Sequence, residues 1–416
     1  MARRPSRLVT GRTPNPEPQT PNPEPRTLNP NPEHRTENSE LGLYVHLPFC
    51  SAICNYCNFN RGLYDGAVKD RYVAALVQEI ETQADGSPAD TIFFGGGTPS
   101  LLEPAEVATI VGACRRSFAL SGEAEITLEA NPETVTAGRL DGFLEAGVNR
   151  LSVGVQSFRD DELKRLSRLH SVSRAEEAFR LARTAGFHNI SLDLMMWLPQ
   201  QSVDQWLESV DGLITLGPDH ASLYLLEMYP NAPLKDTMAR AHWSQAPDDD
   251  AAEMYLTGME RLDTAGYQQY EISNVARPGR ESRHNLKYWT DGAWLGFGAG
   301  AHTTRSGIRS KNVSATEDYI AAVAAGKELG TDIRRLSIRE RLEEALFTGL
   351  RLSVGLDLEQ IRARYRVDVW REYGAGLQPF VDQGLLIYDG ASLRLTREGM
   401  LLAHEVMTIF ISSTVR

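Results

Sequence analysis

From Leu41 to about residue 236, short β-rich runs bounded by Gly, Pro or Asn alternate with amphipathic helical patterns. The strands are predicted over Leu43–Leu47, Thr91–Phe94, Ile126–Glu129, Arg150–Val155, Asn189–Met195 and Ala221–Leu226, with helical patterns over Arg71–Thr82, Pro104–Phe118, Ala175–Ala185 and Val203–Leu216. Parallel strands need long connections, so six successive β/α units imply a parallel sheet with right-handed crossovers. Six units rather than eight predict an open, partial (β/α)6 barrel. Ligands of such a sheet bind at the C-terminal strand ends.

Different patterns flank this core. Residues 1–40 hold nine prolines, a near-repeat of Pro-Asn-Pro-Glu-Pro and almost nothing apolar, and read as disordered. Their arginines resemble the start of a targeting peptide, but no apolar stretch follows, which favours a misassigned start. Residues 237–336 read as a linking, substrate-side segment. Residues 337–411 give three helices, short strands at Leu385–Tyr388 and Ser392–Leu395 around Asp389-Gly390, and a closing helix, the order of a winged-helix-like domain. Glu340, Glu343, Glu344, Asp357 and Glu359 favour a structural or interaction role for that domain over DNA binding. A net charge of −12 argues against a broad nucleic-acid surface. With no apolar run of bilayer length, the expected location is the cytoplasm.

Of four cysteines, Cys50, Cys54 and Cys57 fall within eight residues directly after the first strand. This CxxxCxxC loop is no disulfide framework. Three thiolates on a tight loop can ligate three irons of a cubane and leave the fourth open. The alternatives are unrelated core cysteines or a zinc site, for which His46 is the local candidate fourth ligand. Gly95-Gly96-Gly97-Thr98-Pro99 follows the second strand, where glycines permit close backbone approach to a ligand, or simply a tight turn.

The cysteine spacing, with Phe59 two residues beyond Cys57, resembles the radical S-adenosylmethionine (SAM) superfamily. Its members carry a 4Fe-4S cluster whose open iron is chelated by SAM and whose reduction cleaves SAM to a 5′-deoxyadenosyl radical. Tyr44-Val45-His46-Leu47-Pro48-Phe49-Cys50, Glu129-Ala130-Asn131-Pro132, the run from Asn149 to Phe158, Arg168-Leu169-His170 and Asp193-Leu194-Met195 narrow the resemblance. They are similar to the oxygen-independent coproporphyrinogen III oxidase family, and the likeness covers nearly all of residues 41–411. It implies cluster ligation by Cys50, Cys54 and Cys57. It implies SAM contacts by Tyr44, Tyr56, Gly96, Gly97, Thr98, Glu129, Gln156, Arg168 and Asp193, where acidic and amide groups suit ribose hydroxyls and Arg168 suits a carboxylate.

Within the family, the oxidases resemble CxxxCxxCxC, whereas the heme chaperone (HemW-type) subgroup has an aromatic at the last cysteine, as Phe59 is here. His284-Asn285-Leu286-Lys287-Tyr288-Trp289 matches the HNxxYW segment of that subgroup, which implies heme contact through His284, Asn285, Tyr288 and Trp289. Imidazole can ligate iron, the rings can stack on a porphyrin, and Arg277, Arg280, Arg283 and Lys287 can meet propionates. The structural alternative is a hydrogen-bonded histidine, core aromatics and a solvated arginine loop. The resemblance implies a heme chaperone with heme or a related tetrapyrrole as ligand, an acceptor hemoprotein, membrane-bound or not, as partner, and a cluster-dependent dimer. The other readings are porphyrinogen oxidation and a non-catalytic iron-sulfur interaction protein. One departure stands out: the family's Gly-Leu-Pro-Gly-Gln is Trp197-Leu198-Pro199-Gln200-Gln201 here. An indole there is expected to fill space near the cofactor unless the backbone turns it away.

Overall fold

A computed structural model of the chain describes residues 40–230 and 232–411. The Pro-rich segment, except Glu40, lies outside the described residues. Six strands form the centre: β1 (Leu41–Leu47), β2 (Pro88–Gly96), β3 (Ala119–Ala130), β4 (Arg150–Gln156), β5 (Ile190–Met196) and β6 (His220–Leu225). They pair in chain order and all run parallel, while β1 and β6 do not pair with each other. The partial barrel read from the sequence is therefore the observed one. Leu43, Val45 and Leu47 of β1 are buried, and residues between them are largely buried too, as expected of strands covered on both faces.

The crossovers carry α1 (Gly66–Thr82), α2 (Pro104–Ser117), α3 (Ala137–Glu145), α4 (Asp160–Arg165), α5 (Val172–Ala185) and α6 (Val203–Leu216). Local signals explain their ends. Helix α6 opens on a Ser202/Gln205 capping box and closes at Gly217, whose φ of 68° is left-handed. Helix α3, absent from the predicted helices, is short and buries only Leu140 and Phe143, too few for a periodic signal.

The segment expected to link two domains instead extends the same sheet at both edges. After α7 (Pro233–Ala241) and α8 (Asp248–Thr264), β7 (Gln268–Glu271) and β8 (Asn274–Ala276) form a hairpin whose β8 pairs antiparallel with β6. The chain then crosses through α9 (Arg283–Trp289) to β9 (Trp294–Phe297), which pairs parallel with β1 at the opposite edge. Strands β10 (His302–Arg305), β11 (Ile308–Asn312) and, after α10 (Thr316–Ala324), β12 (Gly330–Arg335) continue that edge. The sheet has twelve strands in the order β12-β11-β10-β9-β1-β2-β3-β4-β5-β6-β8-β7. Helices α11 (Ile338–Gly349), α12 (Leu358–Tyr365) and α13 (Val369–Asp382) precede β13 (Leu386–Tyr388) and β14 (Ser392–Leu395), whose small antiparallel sheet takes in Leu356–Asp357. This is the winged-helix-like order expected. Glu340 and Glu344 pair with Arg334 and Arg309. Among the described residues, no helix is long and apolar enough to cross a membrane.

Candidate functional site

Just past β1, Phe49–Cys50 pairs with Gly62–Leu63 and closes a loop that carries Cys54 and Cys57. Asn60 Nδ2 anchors the loop by donating to the carbonyls of Ala299 and Ser314 at 2.9 and 3.0 Å, and Asn55 Nδ2 donates to Arg165 O at 2.8 Å. All three thiols are free; Cys50 is buried, and Cys54 and Cys57 are half-buried. Burial pushes the Cys50 and Cys57 thiols up, and the neighbouring loop cysteines add to the rise. Three neighbouring cysteines are the donor set that a 4Fe-4S cluster takes, each thiolate on a separate iron. Among the described residues, no group of three or more His, Cys, Asp or Glu side chains, Cys50, Cys54 and Cys57 included, is gathered as a ready-made metal site. His46 is engaged at both nitrogens, with Tyr44 Oη at 3.1 Å and Asn60 O at 2.8 Å. That removes the fourth ligand on which a zinc site depended. Cys114 lies apart in the core, its thiol pushed up to about 12 by burial.

The glycine turn lies against the cysteine loop. Gly97 N–H donates to Leu47 O at 2.7 Å and Thr98 N–H to Phe49 O at 2.8 Å. A Cβ on Gly97 would sit 2.6 Å from Phe49 O, and one on Gly96, at φ 113°, would strike the His46 ring at 2.5 Å. Close packing therefore requires glycine at both positions. With Gly96 N–H donating to Glu129 Oε2 at 3.2 Å, the turn's amides are consumed. Carbonyl oxygens are what it can offer an amine.

Tyr44, Glu129 and Asp193 line one cavity of about 190 Å³ within the barrel. Burial, then the charge of Asp193, raises the Glu129 carboxyl to about 8. Burial raises Asp193 to about 6, against stabilising contacts from Ser222, Arg150 and Ser152. Ser152 Oγ donates to Asp193 at 3.2 Å. Arg168 reaches the cysteine loop: its Nη1 is 3.5 Å from Cys54 Sγ, and its Nη2 donates to Asn131 Oδ1 and Gly154 O, both at 2.8 Å. Tyr56 interacts with the same guanidinium and both flanking thiols, its hydroxyl raised chiefly by burial. Gln156 has a φ of 72° next to a register shift in the β4–β5 pairing. A left-handed non-glycine residue costs about 1–2 kcal/mol, a strain typical of binding sites. Arg150, Ser152, Ser222 and Tyr224 also line the cavity but were not among the candidates. Their signal is polarity inside strands otherwise buried on both faces.

The HNxxYW segment lies at the other end of the barrel. It forms α9, which bonds to N-terminal strand ends: His284 Nδ1 to Thr91 Oγ1 at 2.7 Å, His284 N–H to Glu125 Oε1 at 3.2 Å, and Lys287 Nζ to Asp90 at 2.6 Å. The His284 Nε2 meets Tyr288 Oη at 3.0 Å, so both ring nitrogens are engaged. Burial, with Lys287 adding to it, lowers His284 to about 3. Asn285 and Tyr288 face the cavity from below, and Arg351 covers Trp289 with its guanidinium 4.3 Å from the ring centre. The helix is a floor to the barrel. The basic side chains expected to await propionates are largely committed elsewhere: Arg283 donates to Glu123 O and pairs with Asp90, and Arg277 lies 4.7 Å over the Tyr267 ring.

Trp197 takes the second of the two dispositions expected for it. Its φ of 62° turns the indole away, and Nε1–H donates to Ala246 O at 2.8 Å. It does not line the cavity. A glycine, the residue that the family resemblance leads one to expect here, would adopt this left-handed backbone without a Cβ penalty. Large apolar side chains instead stand exposed around the cysteine loop: Phe59 at 69%, Leu63 at 65% and Leu169 at 61%, with Ile53, Tyr64 and Tyr229.

Residues 44–213 match the Radical SAM superfamily, and residues 336–402 match the HemN C-terminal domain. Heme chaperone HemW of Bacillus subtilis (strain 168) is 37% identical over 372 residues, covering 88% of this chain and 98% of the relative. Radical S-adenosyl methionine domain-containing protein 1, mitochondrial, of Bos taurus is 38% identical over 385 residues, covering 89% and 87%. The structure of Escherichia coli coproporphyrinogen III oxidase (HemN), a radical SAM enzyme, has the same fold, with a TM-score of 0.80 over 89% of this chain and 90% of that one at 24% identity. The chain is thus a radical SAM protein, of the class that uses a 4Fe-4S cluster and SAM. Within that class it belongs to the oxygen-independent coproporphyrinogen III oxidase-like family, in the branch of the HemW proteins.

Proposed function

We propose that this protein is a heme chaperone that binds heme and passes it to acceptor hemoproteins, with Cys50, Cys54 and Cys57 holding a 4Fe-4S cluster. Tyr56 and Arg168 border the cluster, and Glu129, Gln156 and Asp193, with the Gly96–Thr98 turn and Tyr44, hold SAM. The bound cluster and SAM supply reductive SAM cleavage. Arg168 suits the SAM carboxylate, because charge-assisted hydrogen bonds strengthen inside a water-poor barrel, and the Glu129 and Asp193 carboxyls suit its ribose hydroxyls. The observation that carries the chaperone reading is the exposed phenyl of Phe59 where an oxidase-type loop has a fourth cysteine. It belongs to the apolar rim around the cysteine loop, which offers a flat tetrapyrrole an open face, whereas α9 is packed and hydrogen-bonded.

Anaerobic reconstitution followed by parallel heme titration and coproporphyrinogen III oxidation tests this reading. Stoichiometric heme binding without protoporphyrinogen formation is expected, and rapid porphyrinogen turnover would make the protein an oxidase. The double variant Phe59→Ser/Leu169→Ser should weaken heme binding by roughly tenfold, the equivalent of about 1.4 kcal/mol of lost apolar contact. Unchanged affinity in that variant, with loss in His284→Ala, moves heme to His284, Asn285, Tyr288 and Trp289.

A further inference from the structure

The barrel interior contains one charge to which neither the cluster ligands nor the assigned SAM contacts give a role. Arg150 opens β4 and is 1% exposed, and its Nε has no hydrogen-bond partner among the described residues. Its side chain lines the central cavity together with Glu129 and Asp193. An isolated buried guanidinium is strongly disfavoured, so its retention calls for a charge to oppose it. Two carboxylates in one cavity are unfavourable for the same reason, and each makes the other harder to ionise. We infer that Arg150 is a positioning residue that keeps the Asp193 and Glu129 pair charged enough to accept hydrogen bonds from SAM, so that SAM affinity depends on it without contact. This rests on the assignment of Glu129 and Asp193 to SAM.

The other titratable groups facing the pair do not substitute for Arg150. Tyr44 from β1, Tyr224 from β6 and Tyr288 from α9 act on the carboxylates, and burial raises all three hydroxyls, so they stay neutral. His220 and His284 are lowered by burial, and the Tyr270 hydroxyl is raised by it; these three feel Arg150 itself. Glu271, which also acts on Tyr224 and Tyr270, is ion-paired with Arg351 at 2.9 Å, so through neutral pH the balance at the cavity lies chiefly among Glu129, Asp193 and Arg150. Arg150 lowers both carboxyls, against burial that raises them.

SAM affinity measured by calorimetry from pH 5.5 to 9 on cluster-loaded protein tests the inference. In wild type, affinity should rise with pH as the carboxylates ionise. Arg150→Met and Arg150→Gln should each displace the midpoint upward by about one pH unit and weaken binding about tenfold at pH 7, with recovery at high pH. Arg150→Lys should restore most of the wild-type profile. Two uncharged replacements of different polarity keep the test open if one fails to fold, with cluster absorbance and melting temperature as the check. Coincident pH profiles for wild type and a folded uncharged variant overturn the role of Arg150. Absence of SAM binding in the wild type overturns the SAM assignment instead.

Discussion

Replacing His284 with Gln removes one titrating group from the floor of the barrel while an amide remains to meet Thr91 and Tyr288. The imidazole titrates near 3 in the folded protein, against an ordinary value of 6.5, because burial, then Lys287, opposes its charge. A lowered histidine binds its proton in the unfolded chain first. Its contribution to stability is therefore intact above 6.5 and is lost as pH falls from there toward 3. Each pH unit well inside that window costs about 1.4 kcal/mol, and with the unfolded histidine half protonated at 6.5 the loss between pH 6.5 and 4.5 is about 2.3 kcal/mol. Other groups contribute: His220 shares this sign, whereas the raised Glu129 and Asp193 lose stability as pH rises through about 8 and about 6. The difference between wild type and His284→Gln isolates the one residue. Urea unfolding of the cluster-free protein at pH 7.5, 6.5, 5.5 and 4.5, analysed with a common m-value, measures it. The variant is expected to lose stability less steeply below pH 6.5, by about 1.4 kcal/mol per unit. Parallel pH profiles would show that His284 is not held neutral by burial in α9.

Gly97→Ala should abolish cluster incorporation, because its Cβ would meet Phe49 O at 2.6 Å and part the turn from the cysteine loop; iron and sulfide analysis after reconstitution reads the loss. Trp197→Gly relieves a left-handed φ but forfeits the Ala246 hydrogen bond and indole packing, for a net destabilisation of about 1–2 kcal/mol. SAM affinity should stay within about twofold, since the indole is turned from the cavity, and a larger change by calorimetry counts against that placement. Cys54→Ala should lose the charge-transfer absorbance of the cluster while Cys114→Ala keeps it, because Cys114 lies in the core apart from the loop. Equal loss in both would unseat the three-cysteine assignment.

Much of the fold was legible because parallel strands buried on both faces read as apolar runs between amphipathic helices. Every barrel strand was placed within a few residues, except that β3 begins at Ala119, where polar Ser121, Gly122 and Glu123 obscure its start. The cysteine loop was legible for a local reason: spacing within eight residues constrains where the thiols can go. The same locality let Phe59 distinguish the branches of the family. Tertiary structure alone decided where 268–335 belong, since strand partners at opposite edges of one sheet are distant in sequence. It alone made His284 a floor residue, because Thr91 and Tyr288 occupy its two nitrogens only once β2 and α9 meet. Trp197 turned on a backbone dihedral that side-chain identity does not reveal. Arg150 looked like an ordinary strand start until folding enclosed it with Glu129 and Asp193, since the interaction of charges depends on separation and solvent rather than on order along the chain.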